Sequence, residues 1–341
     1  MIFPSPQPSF LLLMKPGTTG RLIAQGLKKH DIAFELFERK SVDASKRSRD
    51  WSMALQWGST HFAACLPTEL LAKLPRIQGD PFYEEEHGTM PDVPFRNGAT
   101  GEVLASVPAK GLWRVSRSKM QVLFGEGLDV QYGKRLQFFS TTSDSVTATF
   151  ADGSTSTGTH LVGADGAKSL LRTLLLDPER AALTTLPIAM YNFKTSFTPS
   201  QSLYLKSTFH PIMNFAIHPD TDTLFMISIL DMPDKNDAGT WVWQIFYSMM
   251  GEENQKEVSV MGSQDRLVML RGKAEGWVDP WKSAMEWLED GTEIPADVCM
   301  FWKEPVGWDS RGGRVTLAGD AAHAMPPCQF HFLDVALMRR E

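Results

Sequence analysis

The sequence is poor in cysteine and has no long hydrophobic run. Its 341 residues include only three cysteines, Cys65, Cys299 and Cys328, which form no Cys-x-x-Cys pair and no metal-ligand spacing with histidine. Isolated thiols in odd number favour a reducing compartment over a disulfide framework. The only early apolar run, residues 10–14, is too short to span a membrane and lacks the charged segment of a signal peptide. We therefore expect a cytoplasmic protein with no membrane span and no metal site.

Excess positive charge is also absent. The formal net charge is −6, and no basic cluster is interleaved with aromatic residues. Because binding to nucleic acid requires a basic surface, we expect no nucleic-acid partner. The balance of 43% hydrophobic and 22% charged residues is typical of a soluble globular chain, long enough for two domain-sized units or one large α/β body. Nothing in the sequence predicts the oligomeric state.

The first structured segment is predicted to be a strand, a turn, a helix and a second strand. Residues 10–14 form a short apolar run, and residues 18–30 carry apolar side chains at helical spacing. Residues 32–37 are mostly apolar and end at Glu38. This pattern is a βαβ unit, the opening of a dinucleotide-binding α/β fold.

The rest of the chain predicts two further kinds of structure. Helices are expected after Asp50, from residue 116 to about residue 127, and over residues 264–276 and 280–288. Short strands are expected over residues 129–136, 145–150, 157–162 and 314–318, with a hairpin turn at Asp152-Gly153. Longer β-like runs over residues 188–195, 212–217, 224–230 and 241–247 predict a largely antiparallel sheet inserted into the nucleotide-binding body.

The turn after the first strand is an altered dinucleotide fingerprint. The pattern G-x-G-x-x-G lets the backbone approach a pyrophosphate at a helix N-terminus. Gly17 and Gly20 supply its second and third glycines, but Lys15 stands at the first position and Pro16 removes a backbone donor. Without other evidence, such a turn is more often structural than functional.

Glu38 strengthens the interpretation of this turn. It lies eighteen residues after Gly20, close to the spacing of about 20 expected for an acid that bonds an adenosine ribose. The alternative is a solvated surface glutamate. The neighbouring Arg39 either packs on the adenine or faces solvent.

Two later motifs also carry acids at the ends of predicted strands. The first is the string GADGxxSxxR, from Gly163 through Asp165 to Arg172, and the second is GDAAHAMPP, which begins at Gly319-Asp320. Ligands bind at the carboxyl ends of strands in open α/β sheets, and a carboxylate there could accept hydrogen bonds from a polyol. His323 is either a general base or, as we favour, a packed or solvent-facing histidine.

Glu38 and these two motifs, in this order, are similar to class A flavoprotein monooxygenases of the para-hydroxybenzoate hydroxylase type, and most similar to their fungal secondary-metabolism branch. The resemblance extends over about residues 10–327 and includes a further element, Arg114-Val-Ser-Arg117. It implies FAD as cofactor and NAD(P)H as transient co-substrate. The implied FAD contacts are Gly17 and Gly20 at the pyrophosphate, Glu38 at the adenosine ribose, Arg117, Asp165 (which would also support the NADPH contact) and Asp320 at the ribityl chain.

The resemblance also implies the fold and the chemistry. A GR2-type Rossmann-like FAD-binding domain would comprise residues 1–184 and 306–341, and an inserted, largely antiparallel β-sheet domain, residues 185–305, would bind the substrate. A flavin C4a-hydroperoxide would hydroxylate or epoxidise an aromatic or polyketide-like small molecule. No catalytic triad or carboxylate pair is then needed, and the sequence offers none. Candidate substrate contacts, each more often a core residue, are Tyr204, Phe215, Trp241 and Trp243.

The sequence departs from the family pattern at its end. The family has a glycine-rich turn and a helix after the position of Pro327, whereas here no glycine follows Gly319. A truncated end together with Lys15 would weaken the flavin site. Three hypotheses follow: an active FAD monooxygenase, a degenerate relative with weak or no FAD binding, and an ordinary nicotinamide dehydrogenase. The third is the weakest, because the Asp320 motif has no place in a dehydrogenase fold.

Overall fold

The computed structural model describes residues 8–14, 17–43, 49–55, 58–303 and 306–326. In chain order the strands are β1 (Ser9–Met14), β2 (Ala33–Glu38), β3 (Ser52–Leu55), β4 (Val93–Asn97), β5 (Val103–Val107), β6 (Trp113–Ser116), β7 (Val130–Tyr132), β8 (Leu136–Thr141), β9 (Val146–Phe150), β10 (Thr155–Gly158), β11 (His160–Ala164), β12 (Thr184–Ser196), β13 (Asn214–His218), β14 (Thr223–Asp231), β15 (Val242–Met250), β16 (Asp297–Phe301) and β17 (Val315–Leu317). The helices are α1 (Thr18–Lys29), α2 (Phe62–Cys65), α3 (Thr68–Leu71), α4 (Tyr83–His87), α5 (Arg117–Gly125), α6 (Leu170–Leu175), α7 (Pro199–Thr208), α8 (Glu252–Val260), α9 (Ser263–Gly272), α10 (Trp281–Glu286) and α11 (Asp320–His323).

Five parallel strands form one sheet, in the order β17-β11-β1-β2-β7. In this register Met14 lies between Glu38 on one side and Ala164 on the other, so these strands end at the same edge. Helix α1 connects β1 to β2, which confirms the predicted βαβ unit. Because ligands of open α/β sheets bind outside the carboxyl ends of the strands, this edge is the place to look for a site.

A second sheet has seven strands, in the order β16-β12-β15-β14-β13-β4-β5. All of its pairs are antiparallel except β13 with β4. It contains the four predicted strands of residues 188–247. It also contains β4 and β5, whose residues precede the range in which this sheet was expected. A smaller antiparallel sheet, β10-β9-β8, turns at Gly153 as predicted.

Side chains of the seven-stranded sheet alternate between two environments, as the strand period of two requires. On β15, Trp243, Ile245 and Tyr247 pack in a core with helices α7, α9 and α10. Gln244 and Phe246 point to the other face and line a cavity. Trp241 and Trp243 are therefore core residues, as the cautious interpretation expected.

Several sequence predictions of local structure were wrong. The segment after Asp50 forms strand β3, which pairs with β6 in a two-stranded antiparallel ribbon, because the backbone groups of Ser52 and Leu55 find their partners there and not within a helix. The predicted strand 129–136 is interrupted at Gly133, whose φ of +75° turns the chain between β7 and β8. The predicted strand 157–162 is divided at Thr159 between β10 and β11.

Within the described residues, no helix is both long enough and apolar enough to cross a membrane. The same part of the chain holds no group of three or more His, Cys, Asp or Glu side chains that could bind a metal ion.

Candidate active site

The N-terminus of α1 lies at the carboxyl edge of the parallel sheet. Gly17 precedes the helix in extended conformation, Gly20 is buried, and no described side chain caps the first turn or adds negative charge to it. The first N–H groups of a helix have no intrahelical acceptor and carry the positive end of its dipole. This terminus therefore suits an anionic phosphate. Lys15 and Pro16, the altered part of the fingerprint, lie outside the described residues.

Gly319 brings the third motif against this terminus. Its φ of +59° lies in the region that favours glycine, and a Cβ atom placed on it would lie 2.6 Å from Oγ1 of Thr19. The turn between β17 and α11 therefore approaches α1 as closely as only glycine permits. Asp320, the next residue, begins α11 and is exposed. His323 on the same helix is exposed, in agreement with the favoured interpretation of that residue.

Glu38 is buried with half of its carboxylate unengaged. It is 1% exposed, and Oε1 accepts a hydrogen bond of 2.8 Å from the Lys40 N–H. Oε2 is buried and has no hydrogen-bond partner among the described residues. Burial raises the pKa of Glu38, against the lowering effects of the Lys40 hydrogen bond and of the positive charges of Arg39 and Arg21. The surface-glutamate alternative is thus wrong, and Oε2 is left with a hydrogen-bonding capacity that no described residue uses.

Arg117 begins helix α5 beside Asp50, the residue that precedes the segment wrongly predicted to be a helix. The Asp50 carboxylate accepts hydrogen bonds from the Ser118 N–H (2.8 Å), the Ser118 hydroxyl (2.6 Å) and the Ser116 hydroxyl (2.9 Å), which fixes the start of the helix. Burial lowers the pKa of Arg117, while the nearby carboxylates of Asp50 and Asp320 raise it. The Arg117 guanidinium is therefore close enough to the Asp320 carboxylate for their charges to interact, and we call the region around these two side chains the crevice. Asp50 is a positioning residue that no sequence signal identified.

Asp165 has a structural role and a second, unengaged oxygen. Its Oδ2 accepts hydrogen bonds from the N–H groups of Leu170 (2.8 Å) and Leu171 (3.4 Å) at the start of α6. Its Oδ1 is buried without a hydrogen-bond partner in the described part of the chain. Asp165 lines a separate cavity of about 450 Å³ together with Arg39 and Lys168.

Arg172, the last residue of GADGxxSxxR, joins the second and third motifs. Its buried guanidinium donates hydrogen bonds to the carbonyl oxygens of Ala167 (2.5 Å) and Ala321 (3.0 Å). It also lies 4.9 Å from the centre of the Trp302 ring. This arginine links the turn after β11 to helix α11 and holds that helix in place.

An apolar cavity of about 290 Å³ lies between the seven-stranded sheet and the β3–β6 ribbon. Its walls are mainly aromatic and aliphatic side chains, including those of Phe95, Phe215, Met226 and Phe246. Trp51 also lines this cavity, and the Arg117 guanidinium stacks over the Trp51 ring. We call this space the apolar cavity; Trp51 places it next to the crevice of Arg117 and Asp320. Of the four aromatic candidates named from sequence, Phe215 lines it.

The fold is that of known flavin hydroxylases. The 2,6-dihydroxypyridine-3-hydroxylase of Arthrobacter nicotinovorans superposes with a TM-score of 0.70 at 18% identity, over 94% of this chain and 79% of that one. HpxO of Klebsiella pneumoniae, solved with FAD and uric acid, superposes with a TM-score of 0.69 at 17% identity, over 98% of this chain and 78% of that one.

Sequence relatives identify the family. No family model matches the chain. The FAD-dependent monooxygenase phnB of Penicillium herquei is 38% identical over 95% of this chain and 77% of its own length. The FAD-dependent monooxygenase dbaB of Emericella nidulans is 33% identical over 92% of this chain and 80% of its own length. The chain therefore belongs to the fungal FAD-dependent monooxygenases, a family of oxidoreductases.

Proposed function

We propose that the chain binds FAD along the carboxyl edge of the parallel sheet and oxygenates an aromatic or polyketide-like small molecule held in the apolar cavity. NAD(P)H is proposed as the transient co-substrate. The observation that carries the proposal is the buried, unengaged Oε2 of Glu38, at the strand end beside the N-terminus of α1. A nucleotide ribose would supply the missing hydroxyl donor.

The residues of this edge fit such a cofactor in charge and in space. Gly17 and Gly20 would face its pyrophosphate, since the uncapped start of α1 favours an anion. Asp320 would accept hydrogen bonds from the ribityl hydroxyls, because its exposed carboxylate lies at the same terminus. Arg117 would contact the cofactor through its guanidinium, which lies close enough to Asp320 for their charges to interact.

Bound FAD would supply the oxygen-transfer chemistry, with electrons from NAD(P)H. The chain's own residues would bind, orient and exclude water. The apolar cavity would hold the substrate in a dry environment, and Trp51 would form the wall that faces the crevice. Asp165 would contact FAD or the nicotinamide nucleotide through its unengaged Oδ1. Arg39 and Lys168 give its cavity a positive lining suited to phosphates.

The same proposal divides the chain into two units. A GR2-type Rossmann-like FAD-binding unit would comprise residues 1–184 and 306–341, and a substrate-binding unit would comprise residues 185–305. In support, the five parallel strands come from the first unit, and β12 to β16 all come from the second. Because β4 is hydrogen-bonded to β13, we assign residues 93–107 to the substrate-binding unit as well.

The test distinguishes two hypotheses: that the chain is an active FAD monooxygenase, and that it is a degenerate relative with weak or no FAD binding. The protein is purified, its visible spectrum is recorded, and FAD is titrated into the apo form while flavin fluorescence is followed. We expect a yellow protein that binds FAD and oxidises NAD(P)H faster in the presence of a substrate. A colourless protein that FAD does not reconstitute would refute the proposal and favour the degenerate relative.

A further inference from the structure

We propose that Arg114 is the specificity-determining residue of the apolar cavity and binds an ionised oxygen, a phenolate or a carboxylate, of the substrate. This inference rests on the proposed function, because it takes the apolar cavity as the substrate site. Arg114 belongs to β6 and lines the cavity beside Ser52 and Gln244. The family resemblance implies that Arg117 contacts FAD, and it implies no role for Arg114.

Arg114 is buried with too few acceptors for its donors. It is 7% exposed. Its Nε donates to Oγ of Ser52 at 2.7 Å, and Nη2 donates to Oε1 of Gln244 at 3.3 Å. Its other contacts are the thioether sulfurs of Met213 (3.7 Å) and Met226 (3.5 Å), which are weak acceptors. A guanidinium has five N–H donors, so two neutral oxygens leave most of its capacity unused.

No carboxylate of the described residues forms an ion pair with Arg114. Burial alone lowers the pKa of Arg114, to about 9, so the side chain is still a cation at neutral pH. A buried charge without a counter-ion is costly, and arginine is suited to binding planar oxyanions through two parallel hydrogen bonds. The missing negative charge is therefore the substrate's.

The neighbouring polar groups support this assignment. Gln244 donates from Nε2 to Oδ1 of Asn192 (2.8 Å), and its Oε1 accepts from the Ser52 N–H (2.7 Å) and hydroxyl. These bonds orient the amide so that its oxygen faces Arg114. The side chains of Ser52, Gln244, Asn192 and Arg114 thus form one hydrogen-bonded polar patch in a cavity whose other lining residues are mostly apolar. A flat apolar molecule with one acidic oxygen matches this distribution.

The experiment measures binding of matched pairs of small molecules by quenching of tryptophan fluorescence in the FAD-loaded protein. One pair is 2-naphthoate with 2-naphthamide, and the other is 4-nitrophenolate with nitrobenzene. We expect the wild type to bind the anion of at least one pair roughly ten- to a hundred-fold more tightly than its neutral partner. The pair that shows the preference identifies the ionised oxygen as a carboxylate or a phenolate.

Two variants test the residue itself. Arg114→Met should abolish the preference for the anion, and Gln244→Glu should abolish it too, because it supplies a carboxylate next to an intact Arg114. Arg76→Met, which removes an exposed charge that does not line the cavity, should keep the preference. If Arg114→Met does not fold, Gln244→Glu decides alone.

Two results would overturn the inference. One is a wild type without preference in either pair, and the other is a preference that survives in the folded variants. FAD binding is measured separately, and a protein that does not take up FAD is assayed for the anion preference as purified. An FAD-loaded wild type without anion preference refutes this inference only, whereas an anion preference in a protein that never binds FAD refutes the proposed function only.

Discussion

The guanidinium carbon of Arg117 lies 4.5 Å from the centre of the Trp51 ring. The Arg117 guanidinium therefore stacks on the Trp51 indole and lies near Asp320, while Trp51 also lines the apolar cavity. Trp51 connects the proposed cofactor crevice with the proposed substrate site. Its backbone carbonyl also accepts a hydrogen bond from the Arg117 N–H at 2.9 Å, so the two residues are fixed to each other twice.

Replacing Glu38 should change cofactor affinity and apo stability in opposite directions. Glu38→Gln removes the acceptor proposed for the ribose, and we expect FAD to bind about ten-fold or more weakly. Because burial raises the pKa of Glu38 in the folded state, its ionised form destabilises the apo protein. The apo protein should therefore gain stability as the pH falls through that raised pKa towards the ordinary glutamate value, and the variant should melt at a higher temperature than the wild type at pH 7.

Flavin fluorescence titration and thermal unfolding at several pH values measure both effects. Glu35→Gln, on the same strand but hydrogen-bonded to Gln131 and Ser156, is the matched control for removing a carboxylate. Equal FAD affinity in Glu38→Gln and the wild type would contradict the ribose assignment.

Asp320→Ala should weaken FAD binding by about ten-fold with little effect on stability. The carboxylate is exposed, so its loss leaves no buried group unsatisfied. Equilibrium titration with FAD and urea unfolding of the apo protein separate the two quantities. Unchanged FAD affinity would show that the assignment to the ribityl chain is wrong.

Gly319→Ala should destabilise the fold by about 1–3 kcal/mol, because the new Cβ meets Thr19 and the backbone conformation favours glycine. The double variant with Thr19→Ala should recover part of that loss, since it removes Oγ1 but leaves the φ of +59°. Urea unfolding of the single and double variants measures the recovery. Additive effects would mean that the two residues do not touch.

Asp50→Ala should cost about 1–2 kcal/mol of stability, because it leaves the N–H of Ser118 and the hydroxyls of Ser116 and Ser118 without their shared acceptor. It should also weaken FAD binding, since Arg117 begins the helix that Asp50 fixes. Asp129→Ala, an exposed acid just before β7, is the control. A variant that unfolds like the control would argue against the positioning role.

Local patterns in the sequence predicted the parallel sheet well. The βαβ unit, the acids at strand ends and the helix from Arg117 depend on residues close together in the chain, where spacing and side-chain chemistry decide the structure. The helix expected after Asp50 was wrong because β3 pairs with β6, some sixty residues later. Similarly, β4 joins the seven-stranded sheet by placing Phe95 opposite Phe215, a pairing that no local pattern contains.

The surroundings of Arg114 could not be predicted for the same reason. Its partners Ser52 and Gln244 are 62 and 130 residues away in sequence, and its lack of a counter-ion is a property of the folded chain. The burial of Glu38 was equally invisible, although its position at the strand end was not. Sequence spacing located the acids, and tertiary packing determined which of their oxygens stay unengaged.

Side chains of β14 and β15 alternate between the hydrophobic core and the apolar cavity, so the residues that maintain the fold differ from those that contact the proposed substrate. Phe225, Trp243 and Tyr247 are committed to the core, where a change of volume would disturb many neighbours. Met226, Gln244 and Phe246, on the opposite face, contact the apolar cavity. Relatives can therefore diverge in the molecules that they accept by exchanging residues on one face of the sheet, while the other face continues to specify the same fold.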